Sequence, residues 1–230
     1  MSKYILKYNK TGYLKYISHL DLMRLFHRAF KRADIKLKYS NGYNPHPKMV
    51  IAQPLSLGYE STSEYLEIDT WEDFEEDIIL SRLNSILPNG IEIKTCKILA
   101  SFSKTLAALV EFAEYQIRID YDDSIRFENL ANFLSSPEIL VEKYQHKSNT
   151  TKIIDIKPLI KSFGYIINDN NIIIDTIIRT GSSQNLNPEH FIQGVIKHCD
   201  ILMENCSINI TRTEIYFAKD NAILPIQQIC

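Results

Sequence analysis

His19, Asp21 and His46 are the side chains of this sequence best suited to chemistry. Two imidazoles and a carboxylate can hold a divalent cation, or share the parts of acid and base. His19 and Asp21 fall on the first turn of a predicted helix. His46 falls in the stretch Ser40–Lys48, S-N-G-Y-N-P-H-P-K, so the three act together only if that loop folds back toward the helix. Asp21 also has a more ordinary use. Ser18 and Asp21 fit a capping box in which Asp stands for the usual Glu, at the end of the helix where the dipole favours an anion.

A second chemistry is charge. Arg24, Arg28, Lys31 and Arg32 recur at steps of three and four and form one stripe, opposite a buried face of Leu22, Phe26, Ala29, Phe30 and Ala33. With Lys48 they belong to a segment, residues 1–60, that holds eleven Lys or Arg against three Asp or Glu, a balance of +8 in a chain of net charge −2. A solvated helix face is the ordinary reading of such a stripe. The asymmetry along the chain favours a surface for a polyanion. His27 lies beside the stripe and adds to it when protonated. Tyr43, with Tyr4, Tyr8, Tyr13, Tyr16 and Tyr39, supplies rings near the cations, some of them expected in the core.

The loop that carries His46 and Tyr43 is built to be stiff. Asn41-Gly42 is a turn pair tolerant of positive φ, and Pro45 and Pro47 restrict the backbone on either side of His46. Further on, Glu64, Glu67 and Asp69 alternate along a strand. Paired carboxylates suit catalysis, but the solvated face of an edge strand is the expected reading.

Other classes of chemistry are disfavoured. No G-x-G-x-x-G or G-x-x-x-x-G-K occurs, and glycine is scarce, with 7 in 230 residues. No bound cofactor is expected. The cysteines, Cys96, Cys199, Cys206 and Cys230, form no C-x-x-C pair, and no metal site is read from them. The N-terminus lacks the apolar core of a signal peptide, and no apolar run approaches a membrane span. A cytoplasmic protein without membrane attachment is the expectation.

The elements that must position these groups alternate between strand and helix. Tyr4–Tyr8 and Tyr13–Ile17 read as strands, His19–Ala33 as a helix, and Met49–Pro54 and Glu64–Asp69 as strands. A helix capped by Thr70 and a strand at Ile91–Leu99 follow. This is the β-α-β-β-α-β order of a ferredoxin-like unit. The pattern then repeats: a strand at Glu114–Asp120, a helix at Arg126–Ser135, strands from Ile139 to Ile178, a helix capped by Asn187 with Pro188 at its first position, and a last strand at Ile208–Phe217. The predicted fold is α+β, with two tandem ferredoxin-like halves and antiparallel or mixed sheets. Residues 1–100 make the N-terminal half, 111–217 the C-terminal half, and 218–230 a patternless tail.

One long stretch carries a resemblance. Ser18-His19-Leu20-Asp21, Arg28-Ala29 with Lys31-Arg32-Ala33, Ser40-Asn41-Gly42-Tyr43-Asn44-Pro45-His46-Pro47, then Pro54-Leu55, Gly58 and Glu64-Tyr65 resemble the radical-SAM-linked bacterial proteins. That family is a domain of unknown function, found alone or joined to a radical-SAM protein. Tyr43 stands where a Phe is usual and Lys31 where an Arg is. Beyond about residue 70 the likeness thins to Ala113-Glu114-Tyr115, Asp155–Leu159 and Arg212. The cluster-binding C-x-x-x-C-x-x-C is missing, so the resemblance implies a radical-SAM partner on a separate chain.

Together these readings predict an RNA-binding accessory module that works with a radical-SAM enzyme in RNA modification or processing. Arg24, Arg28, Lys31, Arg32, Lys48 and Tyr43 are its contacts. Two alternatives stay open: a histidine-dependent RNA-processing enzyme using His19, Asp21 and His46, and an adaptor that docks the radical-SAM protein through the acidic half.

Overall fold

The computed structural model describes residues 2–99, 104–121, 129–145, 149–200, 206–220 and 222–229. They form an α+β fold in two compact units, Met1–Glu111 with Arg212–Cys230, and Phe112–Thr211. The first unit therefore recovers the C-terminus, where the sequence pattern runs the second half on to residue 217.

In the first unit, β1 (Lys3–Lys10) pairs antiparallel with β3 (Glu60–Asp69) on one side and β4 (Ile91–Ile98) on the other. The short β2 (Met49–Ile51) pairs antiparallel with the C-terminal part of β3. Helix α1 (His19–Arg32) lies between β1 and β2 in sequence, and α2 (Glu76–Asn84) between β3 and β4. The connection order is thus β1-α1-β2-β3-α2-β4, and the spatial order β4-β1-β3-β2. One face of the sheet offers Tyr4, Leu6, Tyr8, Leu66 and Ile68 to Leu22, Phe26, Ala29 and Phe30 of α1 and to Ile79 and Leu83 of α2. Phe26 meets Tyr8 edge-on at 4.9 Å. Each such side chain fully withdrawn from water contributes about 1.5–3 kcal/mol. This burial, more than helix propensity, fixes which side of α1 faces out.

The opposite face holds a second core. Ile5 and Tyr65 meet Leu106 and Val110 around the short α3 (Leu106–Leu109), with Ile215 and Phe217 of β10 (Ser207–Lys219). Residues 222–229, part of the tail that reads as patternless in sequence, extend this core. Strand β11 (Ala222–Pro225) pairs antiparallel with β10, and Ile226 and Ile229 are buried in a 3-10 turn. Ile226 and Ile229 are spaced for one turn, too short a repeat to stand out in sequence.

Two local expectations are also corrected. Residues 13–17 are no strand: Gly12–Tyr16 is a 3-10 turn that begins at Gly12 with φ +62. The Ile17 amide donates back to the Leu14 carbonyl at 3.2 Å, closing the turn, and the buried Lys10 amine donates to the carbonyls of Lys15 (3.4 Å) and Ile17 (3.3 Å). Thr70 does not cap α2. Its hydroxyl is spent on the carbonyls of Glu72 and Ser2, and Tyr4 both donates to and accepts from the Phe74 backbone, so the helix starts only after Glu75.

In the second unit, β9 (Asn171–Arg179) is the middle of three antiparallel strands, flanked by β5 (Val110–Asp120) and β8 (Ile160–Ile167). Strands β6 (Leu140–Gln145) and β7 (Thr150–Asp155) form a separate antiparallel pair. Asn187 caps α4 (Pro188–His198) by accepting from the Glu189 amide. Phe191 of α4 packs at right angles to Phe133, 5.9 Å away. Leu130–Ser135 is a 3-10 turn, and the start of the helix expected at Arg126 lies outside the described residues. Among the described residues no helix is long and apolar enough to cross a membrane.

Candidate nucleic-acid interface

Helix α1 begins as its sequence dictates. Ser18 Oγ accepts from the Asp21 amide at 3.1 Å and donates to Asp21 Oδ2 at 2.7 Å. Asp21 Oδ1 then accepts from Arg24 at 2.9 Å. The Ser18 hydrogen bond first, and the Arg24 contact second, hold the Asp21 carboxyl below its usual range. Asp21 is thus a capping residue whose carboxylate is already engaged. His19 is exposed, two residues before it.

The Ser40–Lys48 loop is closed on itself. Ser40 donates its amide to the His46 carbonyl at 2.8 Å, the His46 amide donates to Ser40 Oγ at 3.0 Å, and Tyr39 bridges to Pro47. Gly42 has φ +134, a conformation that asks for glycine. His46 and Tyr43 are exposed, Tyr43 completely. Among the described residues no hydrogen bond or ion pair joins His46 to His19 or Asp21, and no three His, Cys, Asp or Glu side chains are placed to hold a metal.

The cations are arranged in a more telling way. Arg24, Arg28 and Arg32, each a helical step of four from the next, line a groove of about 610 Å³. Its apolar lining comes from Ile17, Leu25 and Ala29 and from the chain after α2, Ile86, Leu87 and Pro88. Lys31 belongs to the other flank. There His27, Phe30, Lys31 and Asp34 of the helix region face Ile35–Leu37, Tyr39 and Trp71 across a pocket of about 560 Å³. The stripe read from the sequence is therefore a crest between two hollows. Among the described residues Arg28, Lys31 and Arg32 have no ion-pair partner, while Arg24 is held by Asp21 and Lys48 lies 3.8 Å from Asp69.

Sequence reasoning missed two features. The first is the role of Glu64 and Glu67, expected on a solvated edge. Strand β3 is instead flanked on both edges, and both carboxylates are buried. Arg212 reaches Glu64 through two nitrogens at 2.8 and 2.6 Å and donates to the Gln53 carbonyl at 2.7 Å. Glu67 accepts from Lys3 at 2.7 Å and from the Leu106 amide at 2.9 Å. Nearby, Glu214 takes Lys7, Ser63 and Tyr65. Burial, with the Glu214 charge beside it, pushes the Tyr65 phenol well up. Burial likewise pulls the Lys10 amine down, against the pull of Glu64. These groups fix the frame, and Lys10 ties down the chain at residues 15 and 17, just ahead of α1. The second feature missed is Trp71, a single aromatic that fits no periodic pattern.

Comparisons with known proteins agree on little beyond the fold. A chain in the crystal structure of a Cbf5-Nop10-Gar1 complex is similar, with a TM-score of 0.50 and 7% identity over 92% of this chain and 48% of that one. This chain spans about half the length of that one, and at such identity the likeness shows the fold alone. An unknown protein from Galdieria sulphuraria aligns at 12% identity over 92% of this chain and 98% of its own, with a TM-score of 0.27, too low to carry an argument. No curated protein matches. A family model does match, over residues 3–188, which takes in α1, the Ser40–Lys48 loop and both flanking hollows. The chain belongs to that family, the uncharacterized proteins conserved in bacteria grouped as DUF2344.

Proposed function

We propose that this protein binds single-stranded RNA along α1, as a non-catalytic module serving a separate radical-SAM protein. The observation that carries the RNA reading is the row Arg24, Arg28 and Arg32 along one groove, continued on the crest by Lys31. Three guanidinium groups at helical repeat face solvent with one carboxylate, Asp21, among them. Cations tracking a backbone, with exposed rings close by, are the ordinary equipment for unpaired strands. Duplex RNA is read by shape across a wide minor groove, which one short helix covers poorly.

The proposal includes the finer fold reading of tandem ferredoxin-like halves. In the first unit it is supported by the order β4-β1-β3-β2 with a helix after β1 and after β3. In the second it leans on β5, β9, β8 and α4, with the β6–β7 hairpin as an addition. The radical-SAM partner is supported by the motif resemblance.

The direct test is binding of a labelled, unstructured RNA and of a duplex of equal length at low salt. The single strand should bind more tightly. Equal or absent binding of the single strand defeats the RNA reading. A gentle-salt pull-down from the native cell that never recovers a radical-SAM protein defeats the partnership.

A further inference from the structure

The pocket on the Lys31 side of α1 is made differently from the arginine groove. Its rim is aromatic: Trp71 is 53% exposed and Tyr39 43% exposed, with the His27 ring beside them. Two large rings on one rim offer faces on which a flat ligand can stack. The backbone that carries both rings is held in place. The Trp71 amide donates to the Lys36 carbonyl at 3.0 Å and Leu37 bridges to Thr70, which anchors one wall. Tyr39 Oη lies 3.1 Å from His27 Nε2, and the two rings meet edge-on at 6.4 Å, which ties that wall to α1. The floor is Phe30, Ile35 and Leu37.

The charged side chains lining the pocket are Lys31, Lys36 and Asp34. Lys31 has no ion-pair partner among the described residues, and Lys36 has only an exposed contact with Glu72 at 3.5 Å, a weak competitor for a stronger anion. Asp34 sits where α1 ends, at φ 53, and its carboxylate accepts hydrogen bonds only. Flat apolar rings, cations and an acceptor together match a base bearing an amino group and joined to phosphate. A greasy peptide side chain would leave the lysines and Asp34 unanswered.

We infer that the hollow between α1 and the Ile35–Tyr39 wall is a base-binding pocket. In it one unpaired, amino-bearing base of an RNA strand stacks on Trp71, while its neighbouring phosphate lies against Lys31 and Lys36. This rests on the RNA reading above and adds to it where a base sits relative to the phosphate-binding crest.

Trp71 is the single tryptophan of the chain, so its emission reports on this pocket alone. Oligocytidylate should quench it, and a base-free strand of the same length and charge should not. Trp71→Ala should weaken binding of labelled oligocytidylate on the order of 5- to 150-fold, the usual range for one stacked base, without changing its salt dependence. Trp71→Phe should recover most of the loss. The side chain is half exposed, so neither change threatens the core. Equal binding of both strands with unchanged emission overturns the pocket and leaves phosphate binding by the arginines intact. Failure of both strands to bind overturns both readings. Cytidine monophosphate quenching as tightly as the strand overturns the strand as ligand, in favour of a free nucleotide.

Discussion

Replacing Arg28 and Arg32 together with Ala tests the crest most directly. The size of the effect follows from which cations are already compensated. Arg24 is engaged by Asp21 at 2.9 Å and Lys48 lies 3.8 Å from Asp69, whereas Arg28, Lys31 and Arg32 have no ion-pair partner among the described residues. Five phosphate contacts would give a log–log salt slope of roughly −3.5, at about 0.7 per contact on a single strand. The three uncompensated cations give roughly −2.1, by the same scale. The double variant should fall to about −0.7. Between 50 and 200 mM salt the wild type then loses roughly 18-fold in affinity and the variant roughly threefold. Fluorescence anisotropy of a labelled, unstructured RNA at several salt concentrations reads both slopes. Asp21→Asn offers a second arm, since releasing Arg24 should steepen the slope by about 0.7. Both arginines are exposed and lie off the face formed by Leu22, Phe26, Ala29 and Phe30, so the fold should tolerate their loss. An unchanged slope in the double variant would make the stripe a solvated helix face and refute the reasoning.

Three further outcomes concern the frame. Glu64→Gln should cost about 3–5 kcal/mol in urea unfolding, because it removes the carboxylate that balances the buried Arg212 beside the buried Lys10; a loss under about 1 kcal/mol would show the pair is not holding the strands. Gly90 has φ +98, and a Cβ there would lie 2.6 Å from the Thr11 carbonyl oxygen, so Gly90→Ala should destabilise by about 1–3 kcal/mol, read as a lowered Tm, and a wild-type Tm would contradict the strain. The Asp21 carboxyl, held down by Ser18 and then Arg24, should titrate by NMR with a midpoint below the ordinary 3.8. Its contribution to the start of α1 is then complete above that range and is lost as pH falls through the lowered midpoint; a midpoint at or above 3.8 would deny the cap.

The sequence by itself determined whatever depends on near neighbours. Ser18, Asp21 and the apolar repeat from Leu22 to Phe30 specify where α1 starts and which side it buries, and the basic stripe follows as the remaining side. Asn187 and Pro188 specify α4 in the same local way. Tertiary structure alone decided what depends on distant partners. Glu64 and Arg212 are far apart in the chain, and only the packing of the strands turns an apparently solvated glutamate into half of a buried pair. Residues 222–229 are too short a run, broken by Pro225, to show a period, yet they complete a core that other segments began. The stripe itself became two chemically distinct hollows because Ile86–Pro88 rise on one flank and Tyr39 and Trp71 on the other. Periodicity encodes the direction in which a side chain leaves its own helix. It carries no information about what the rest of the chain places opposite.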